Sequence, residues 1–124
     1  MKATEAEDFQ VLVGSGAILA PALEAGATGG IVAVGLMAPA QAAGVSVAFA
    51  DGRVDEARTL QEQIAPVHQQ IVGGMGVPGV KAALDLLGMH GGAPRPPLAP
   101  ASTGRVEEIR GILAEAGLLA AAEV

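Results

Sequence analysis

Phe9-Gln10-Val11-Leu12-Val13-Gly14-Ser15-Gly16 is the stretch on which the fold turns. A short apolar run containing β-branched residues and closed by a Gly-Ser-Gly turn suits a strand buried on both faces, and it predicts a strand over residues 9–13. The next residues have helical spacing. Ile18, Leu19, Ala22 and Leu23 share one face of a helix predicted over residues 17–25, with Gly26 placed just past its end as a C-cap. The pattern then repeats. Gly30-Ile31-Val32-Ala33-Val34 carries the same strand signature, and Pro39 opens a second, Ala-rich helix that runs to the turn dipeptide Asp51-Gly52. Two consecutive βα units point to the α/β class and to parallel pairing.

Beyond Val54 the periodicity is purely helical. Ala57, Leu60, Ile64, Val67 and Ile71 are spaced by alternating steps of three and four, with charged and amide residues between them, which predicts one long amphipathic helix. Gly73-Gly74 and Gly76-Val77-Pro78-Gly79 are expected to break it. Val80, Ala83, Leu84 and Leu87 define a shorter helix stopping at Gly88, and a proline-rich connector occupies residues 91–100. Pro94-Arg95-Pro96-Pro97 also has the composition of a polyproline ligand, although a rigid connector is the simpler reading. Ser102 or Thr103 is placed to cap a last helix over residues 105–116, with Val106, Ile109, Ile112 and Leu113 inward. Residues 1–124 are expected to form a single unit, with no linker dividing them.

Composition narrows the function classes. The chain of 124 residues is 51% hydrophobic and 16% charged, as expected of a packed domain, and its formal net charge of -6 lacks the positive field that nucleic acid phosphates require. Having no cysteine, it excludes thiol nucleophiles, disulfides and cysteine-ligated metal sites. The three acids among the first eight residues are unlike a secretory signal, so a cytoplasmic location is expected. Residues 25–50 are uncharged and long enough to cross a bilayer, but the run contains five glycines and Pro39, and Ala and Val outnumber Leu and Phe. No membrane span is expected there.

The reactive side chains are few. His90-Gly91-Gly92 has the look of an esterase oxyanion loop, yet the sequence contains no Gly-x-Ser-x-Gly nucleophile motif. His68 falls beside the apolar face of the long helix and is expected at the solvent edge; with His90 the only other histidine, no metal site is expected. Asp51, Asp55 and Glu56 flank a helix start, where carboxylates meet the positive end of the helix dipole. The lysines are Lys2 and Lys81. Lys81 lies within a helix rather than at a strand end, which favours a structural role over Schiff-base chemistry. Gly14-Ser15-Gly16, where a strand meets a helix, has the position of an anion-binding turn and equally that of a structural turn, and it matches no phosphate-loop pattern.

Four ordered blocks carry a family resemblance. Residues 8–15 (Asp-Phe-Gln-Val-Leu-Val-Gly-Ser), 26–33 (Gly-Ala-Thr-Gly-Gly-Ile-Val-Ala), 77–84 (Val-Pro-Gly-Val-Lys-Ala-Ala-Leu) and Gly91-Gly92-x-x-Arg95-x-Pro97-Leu98 resemble the C-terminal part of the dihydrodipicolinate synthase / N-acetylneuraminate lyase family. Within it they look most similar to the 4-hydroxy-2-oxoglutarate aldolase branch. The resemblance implies a partial TIM (β/α)8 barrel with a C-terminal helical extension. Residues 8–52 would be its last two βα units, and residues 53–124 the C-terminal helices.

It further implies a class I aldolase chemistry, in which a lysine forms a Schiff base with pyruvate or another 2-oxo acid and no metal or organic cofactor is required. Backbone at Gly14 and Ile31 would line the substrate site, with Ser15 beside it. The family's lysine, on strand six, and its tyrosine, on strand five, fall upstream of Met1, so no catalytic residue is expected within this sequence. Met1-Lys2 is similar to the Met-Lys around the family lysine, which leaves Lys2 as a candidate displaced remnant. Leu36 departs from the asparagine the family commonly has there. The expected partners are the missing N-terminal barrel half or further copies of the chain. The alternative reading is a non-catalytic, self-associating α/β module, since two strands with uncovered edges invite pairing; an Ala/Gly-rich membrane protein is a third.

Overall fold

In the computed structural model the described residues are 8–119. Strand β1 (Leu12–Val13) pairs in parallel with β2 (Gly29–Gly30), in the register Leu12 to Gly29 and Val13 to Gly30. Backbone bonds from Thr28 N to Val11 O and from Ile31 N to Val13 O, both 2.9 Å, extend the pairing by one step at each end. The two predicted strands are therefore present and parallel, but short. The second does not run through Val34: Ala33–Leu36 winds into a 3₁₀ turn, in which the Met37 N–H bonds Val34 O at 3.0 Å. Burial on both faces, as expected from the apolar runs, is also absent. Phe9, Leu12 and Ile31 are 66%, 53% and 77% exposed, because among the described residues no further strand joins this two-stranded sheet to cover them.

The first helix begins as a 3₁₀ turn, Gly16–Ile18, and continues as α1 (Leu19–Glu24). That tighter start shifts the helical phase, so Leu19, Ala20 and Leu23 are buried while Ile18 faces out. Gly26, with φ of 108°, ends α1 in a conformation that side-chain-bearing residues avoid, and Ala27 N then bonds Ala22 O at 2.9 Å. Helix α2 (Pro39–Ala50) starts on its proline and buries Ala42, Val45 and Ala48. The uncharged segment considered for a membrane is thus divided between a turn, β2, a 3₁₀ turn and α2. Among the described residues no helix is long and apolar enough to cross a membrane.

Helix α3 (Val54–Val67) follows the predicted stripe, and the chain stays helical through a wider π turn, His68–Gly73. Ala57, Ile64, Val67 and Ile71 are fully buried. Gly73 and Gly74 remain helical; the break comes at Gly76 (φ 66°, ψ -154°), inside α4 (Gly74–Leu86). Helix α5 (Thr103–Glu115) is capped by Ser102, whose Oγ accepts from Arg105 N at 3.2 Å. Ile109 and Leu113 of α5 join Val34, Val45, Ile64, Val67 and Ile71 in one core, so the helical layer and the βα units pack as one body.

Candidate functional site

Gly14 and Ile31 each stand one register step beyond the last ladder pair, Val13 with Gly30. They and Ser15 therefore gather at the C-terminal ends of both parallel strands, the end at which α/β folds collect ligands. Gly14 and Ile31 are exposed and Ser15 is half-buried. The Ile31 N–H is already committed to Val13 O.

The turn is gripped from behind by α3 and the π turn. Gln61, 7% exposed, accepts from Ala20 N at 2.7 Å through Oε1 and donates from Nε2 to Gly16 O at 2.8 Å. His68 lies 3.3 Å from Ser15 through Nε2, and its Nδ1 accepts from Gly16 N at 3.3 Å. Ser15 Oγ also accepts from Ala17 N at 3.3 Å, capping the 3₁₀ turn. Gly16 is thus bound at both its N–H and its carbonyl by side chains seven positions apart, two turns along one helical face.

The expectation for His68 is corrected by this geometry: it is half-buried against the strand-end turn, not a solvent-edge residue. Sequence reasoning selects neither His68 nor Gln61 as a site residue. A signal is nevertheless present, because 57, 61, 64, 68 and 71 continue the spacing of four and three, so two polar residues occupy the inward stripe of an otherwise apolar face.

The other candidates have structural work. Lys81 Nζ donates to Gly91 O at 2.8 Å, and Gly91 N donates to Asp85 Oδ1 at 2.8 Å, so the loop after α4 is clipped to that helix. That second bond also consumes the N–H an oxyanion loop at His90-Gly91-Gly92 would need, which removes the esterase likeness. Asp55 and Glu56 lie in the first turn of α3, and Arg53 pairs with Glu56 and, at 3.1 Å, with Asp51. Hydrogen bonds from Arg53 to those two carboxylates, Glu56 first, hold its guanidinium above its ordinary pKa. Arg58 binds Glu24 through Nε and Nη2 at 2.9 and 3.2 Å, and that hydrogen bonding holds the Glu24 carboxyl below the usual carboxylate range. Among the described residues no three His, Asp or Glu come together as a metal site. Lys2 lies outside the described residues.

Two apolar hollows complete the surface. One, about 560 Å³, runs along β1 past Leu12, Gly14, Ile18 and Pro21. The other, about 420 Å³, lies between the Ala33–Leu36 turn and α4, lined by Leu36, Val72, Val77 and Val80.

A parallel βα pair with a glycine turn at its strand ends, backed by a helical layer, defines an α/β protein. The dihydrodipicolinate synthetase family model matches residues 1–116, and the chain belongs to that family. It is 35% identical over 112 residues to 4-hydroxy-tetrahydrodipicolinate synthase of Oleidesulfovibrio alaskensis, covering 90% of this chain and 38% of that protein. The corresponding synthase of Methanopyrus kandleri is 34% identical over 113 residues, covering 91% of this chain and 38% of the relative. In structure the chain matches dihydrodipicolinate synthase of Thermotoga maritima with a TM-score of 0.81 at 33% identity, covering 95% of this chain and 40% of that one. A monomeric dihydrodipicolinate synthase variant matches with a TM-score of 0.82 at 33% identity, over 94% and 39% respectively. The chain spans about two-fifths of the length of these relatives.

Proposed function

We propose that this chain contributes the last two βα units and the helical extension of a (β/α)8 lyase that acts on pyruvate or a related 2-oxo acid through a Schiff base, in the 4-hydroxy-2-oxoglutarate aldolase branch of its family. One observation carries the reading: Gly14 and Ile31 stand one step past the ends of two parallel strands, with Ser15 next to Gly14, in a chain of this family. In this reading residues 8–52 are the barrel units and residues 53–124 the extension. Backbone at Gly14 and Ile31 lines the 2-oxo acid, and Ser15 lies beside it.

The chemistry needs an amine that attacks the ketone carbon, giving a carbinolamine that loses water. The iminium then accepts the electron pair of the bond between the α and β carbons, forming an enamine, as a base takes the proton of the β-hydroxyl and an aldehyde leaves. No metal or organic cofactor is needed for that step. In this reading the nucleophile and the proton relay come from outside these residues: Lys81 is tied to a loop carbonyl and residues 1–124 contain no tyrosine. Lys2, outside the described residues, is the one lysine the structure leaves for the trapping experiment to decide. Exposed Phe9 and Leu12 and the hollow along β1 support a neighbouring unit on that side, supplied by the missing N-terminal barrel half or by another copy of the chain.

Reductive trapping tests this. Intact mass is measured after incubation with pyruvate and borohydride, for the chain alone and for the chain mixed with a family synthase truncated before its last two units. The expected result is no adduct on the chain alone and an adduct on the truncated partner's lysine that depends on adding the chain. A stoichiometric adduct on the chain alone, lost in Lys2→Ala or Lys81→Ala, would overturn the claim that the nucleophile lies elsewhere. Absence of any chain-dependent adduct would overturn the reading as a whole.

A further inference from the structure

His68 meets the Gly14-Ser15-Gly16 turn with both ring nitrogens, and this fixes where its hydrogen is. The Gly16 N–H is a donor only, so Nδ1, which receives it at 3.3 Å, is unprotonated. The neutral ring then carries its hydrogen on Nε2, which faces Ser15 Oγ at 3.3 Å and donates to it. The Ala17 N–H donates to the same oxygen, also at 3.3 Å. A hydroxyl offers two lone pairs and one hydrogen, and here both lone pairs are engaged by groups of the chain itself. Only the O–H remains, on a residue half-buried and beside an exposed Gly14.

We infer that His68 is a positioning residue: together with Gln61 it holds the strand-end turn, and it converts Ser15 into a dedicated hydrogen-bond donor toward an acceptor-only group of the ligand. Gln61 fixes the Gly16 carbonyl and the Ala20 N–H, while His68 fixes the Gly16 N–H and saturates Ser15 Oγ. Neither side chain touches the reacting atoms. The inference rests on the reading that Gly14, Ser15 and Ile31 line a 2-oxo acid site, and it sharpens that reading, because the carboxylate and ketone oxygens of such an acid accept and never donate. A ligand presenting N–H or O–H groups to Ser15 would find no free lone pair.

The test is nitrogen-15 NMR of the histidine ring and backbone amides in the 124-residue chain, with Ser15→Ala, His68→Gln and His68→Phe. The expected ring is the Nε2–H tautomer. His68→Phe is expected to move the amide signals of residues 14–17 and to speed exchange of the Gly16 N–H about tenfold, the equivalent of one ordinary hydrogen bond. His68→Gln, whose amide offers an acceptor oxygen and a donor NH2, is expected to restore both, which a purely space-filling role would not allow. A ring carrying its hydrogen on Nδ1, or amides at residues 14–17 indifferent to His68→Phe, would overturn the clamp. Titration with pyruvate, carried out in the presence of the unlabelled truncated synthase that completes the barrel and followed at Gly14, Ser15 and Ile31, is expected to show binding about tenfold weaker in Ser15→Ala and in His68→Phe, and no weaker in the double variant. Wild-type affinity in Ser15→Ala would overturn the donor assignment. If the wild-type amides ignore pyruvate, the 2-oxo acid reading and the donor's target fall together, while the tautomer and the Gln rescue still decide the clamp.

Discussion

Gly16 lies so close to Val34 that a methyl group in place of its hydrogen would stand 2.3 Å from Val34 Cγ1. Val34 is fully buried, in the 3₁₀ turn that follows β2, so it has no room to retreat. The strand-end turn is therefore pressed onto the core at the same residue that His68 and Gln61 hold by hydrogen bonds. Gly16→Ala is expected to cost about 1–3 kcal/mol of stability as an overpacking substitution. In a urea titration its loss should be less than additive with Val34→Ala, because the smaller neighbour vacates the space the new methyl needs. Strict additivity would show that the close approach carries no energy.

Gln61→Leu keeps much of the side-chain volume and removes both bonds. It leaves the Ala20 N–H and the Gly16 carbonyl without their partner in a buried place, at about 1–3 kcal/mol for each unsatisfied group. Denaturant midpoints together with amide exchange at Ala20 would check this. The exchange should accelerate more at Ala20 than in α5, since the lost bond is local to the start of α1. Equal acceleration in both would mean that only global stability had changed.

Much of this fold is legible in the sequence because its apolar spacing is regular. The stripe of α3, the proline start of α2, the glycine end of α1 and the serine cap of α5 are local signals, and local chemistry decides them. The strands are harder to read. An apolar run such as Ile31-Val32-Ala33-Val34 has the pattern of a buried strand, but strand length depends on neighbours that supply hydrogen bonds and cover, and here the run curls into a 3₁₀ turn after one ladder step. Gly14 and Ser15 are legible as a strand-end turn, because a Gly-Ser-Gly stretch closes the apolar run of the first strand. His68 is not, since its partner is 53 positions away and only the crossing of the helical layer behind the turn brings them together.

The Glu24–Arg58 pair joins α1 to α3 at the surface and sets a pH dependence whose sign is given by the lowered carboxyl pKa. A carboxylate held below its unfolded value stabilises the fold above that unfolded value. The contribution is lost as pH falls through the lowered, folded value. Wild type should therefore be slightly more heat-stable than Glu24→Gln at neutral pH, with the gap closing on acidification. The difference is expected to be small and to shrink in high salt, as for an exposed pair. Thermal melts across an acid series would check it, and a gap that widens toward low pH would contradict the assignment.

Lys81 and Asp85 close the loop after α4 by holding opposite sides of one residue, the carbonyl and the N–H of Gly91. The approach is tight, for a Cβ built on Gly91 would lie 2.0 Å from Lys81 O. Lys81→Met keeps most of the aliphatic stem and deletes the charged donor, so its effect should be confined to the loop. It is expected to cost about 1–2 kcal/mol, in the range of a hydrogen bond to a charged group with discount for partial exposure. Asp85→Asn keeps an acceptor oxygen and should cost less. Limited proteolysis reports on this directly: cleavage within residues 88–102 should rise in Lys81→Met and little in Asp85→Asn, while borohydride trapping on the assembled enzyme should be unchanged in both. Lost trapping in Lys81→Met, with proteolysis unchanged, would instead make Lys81 a participant in the chemistry.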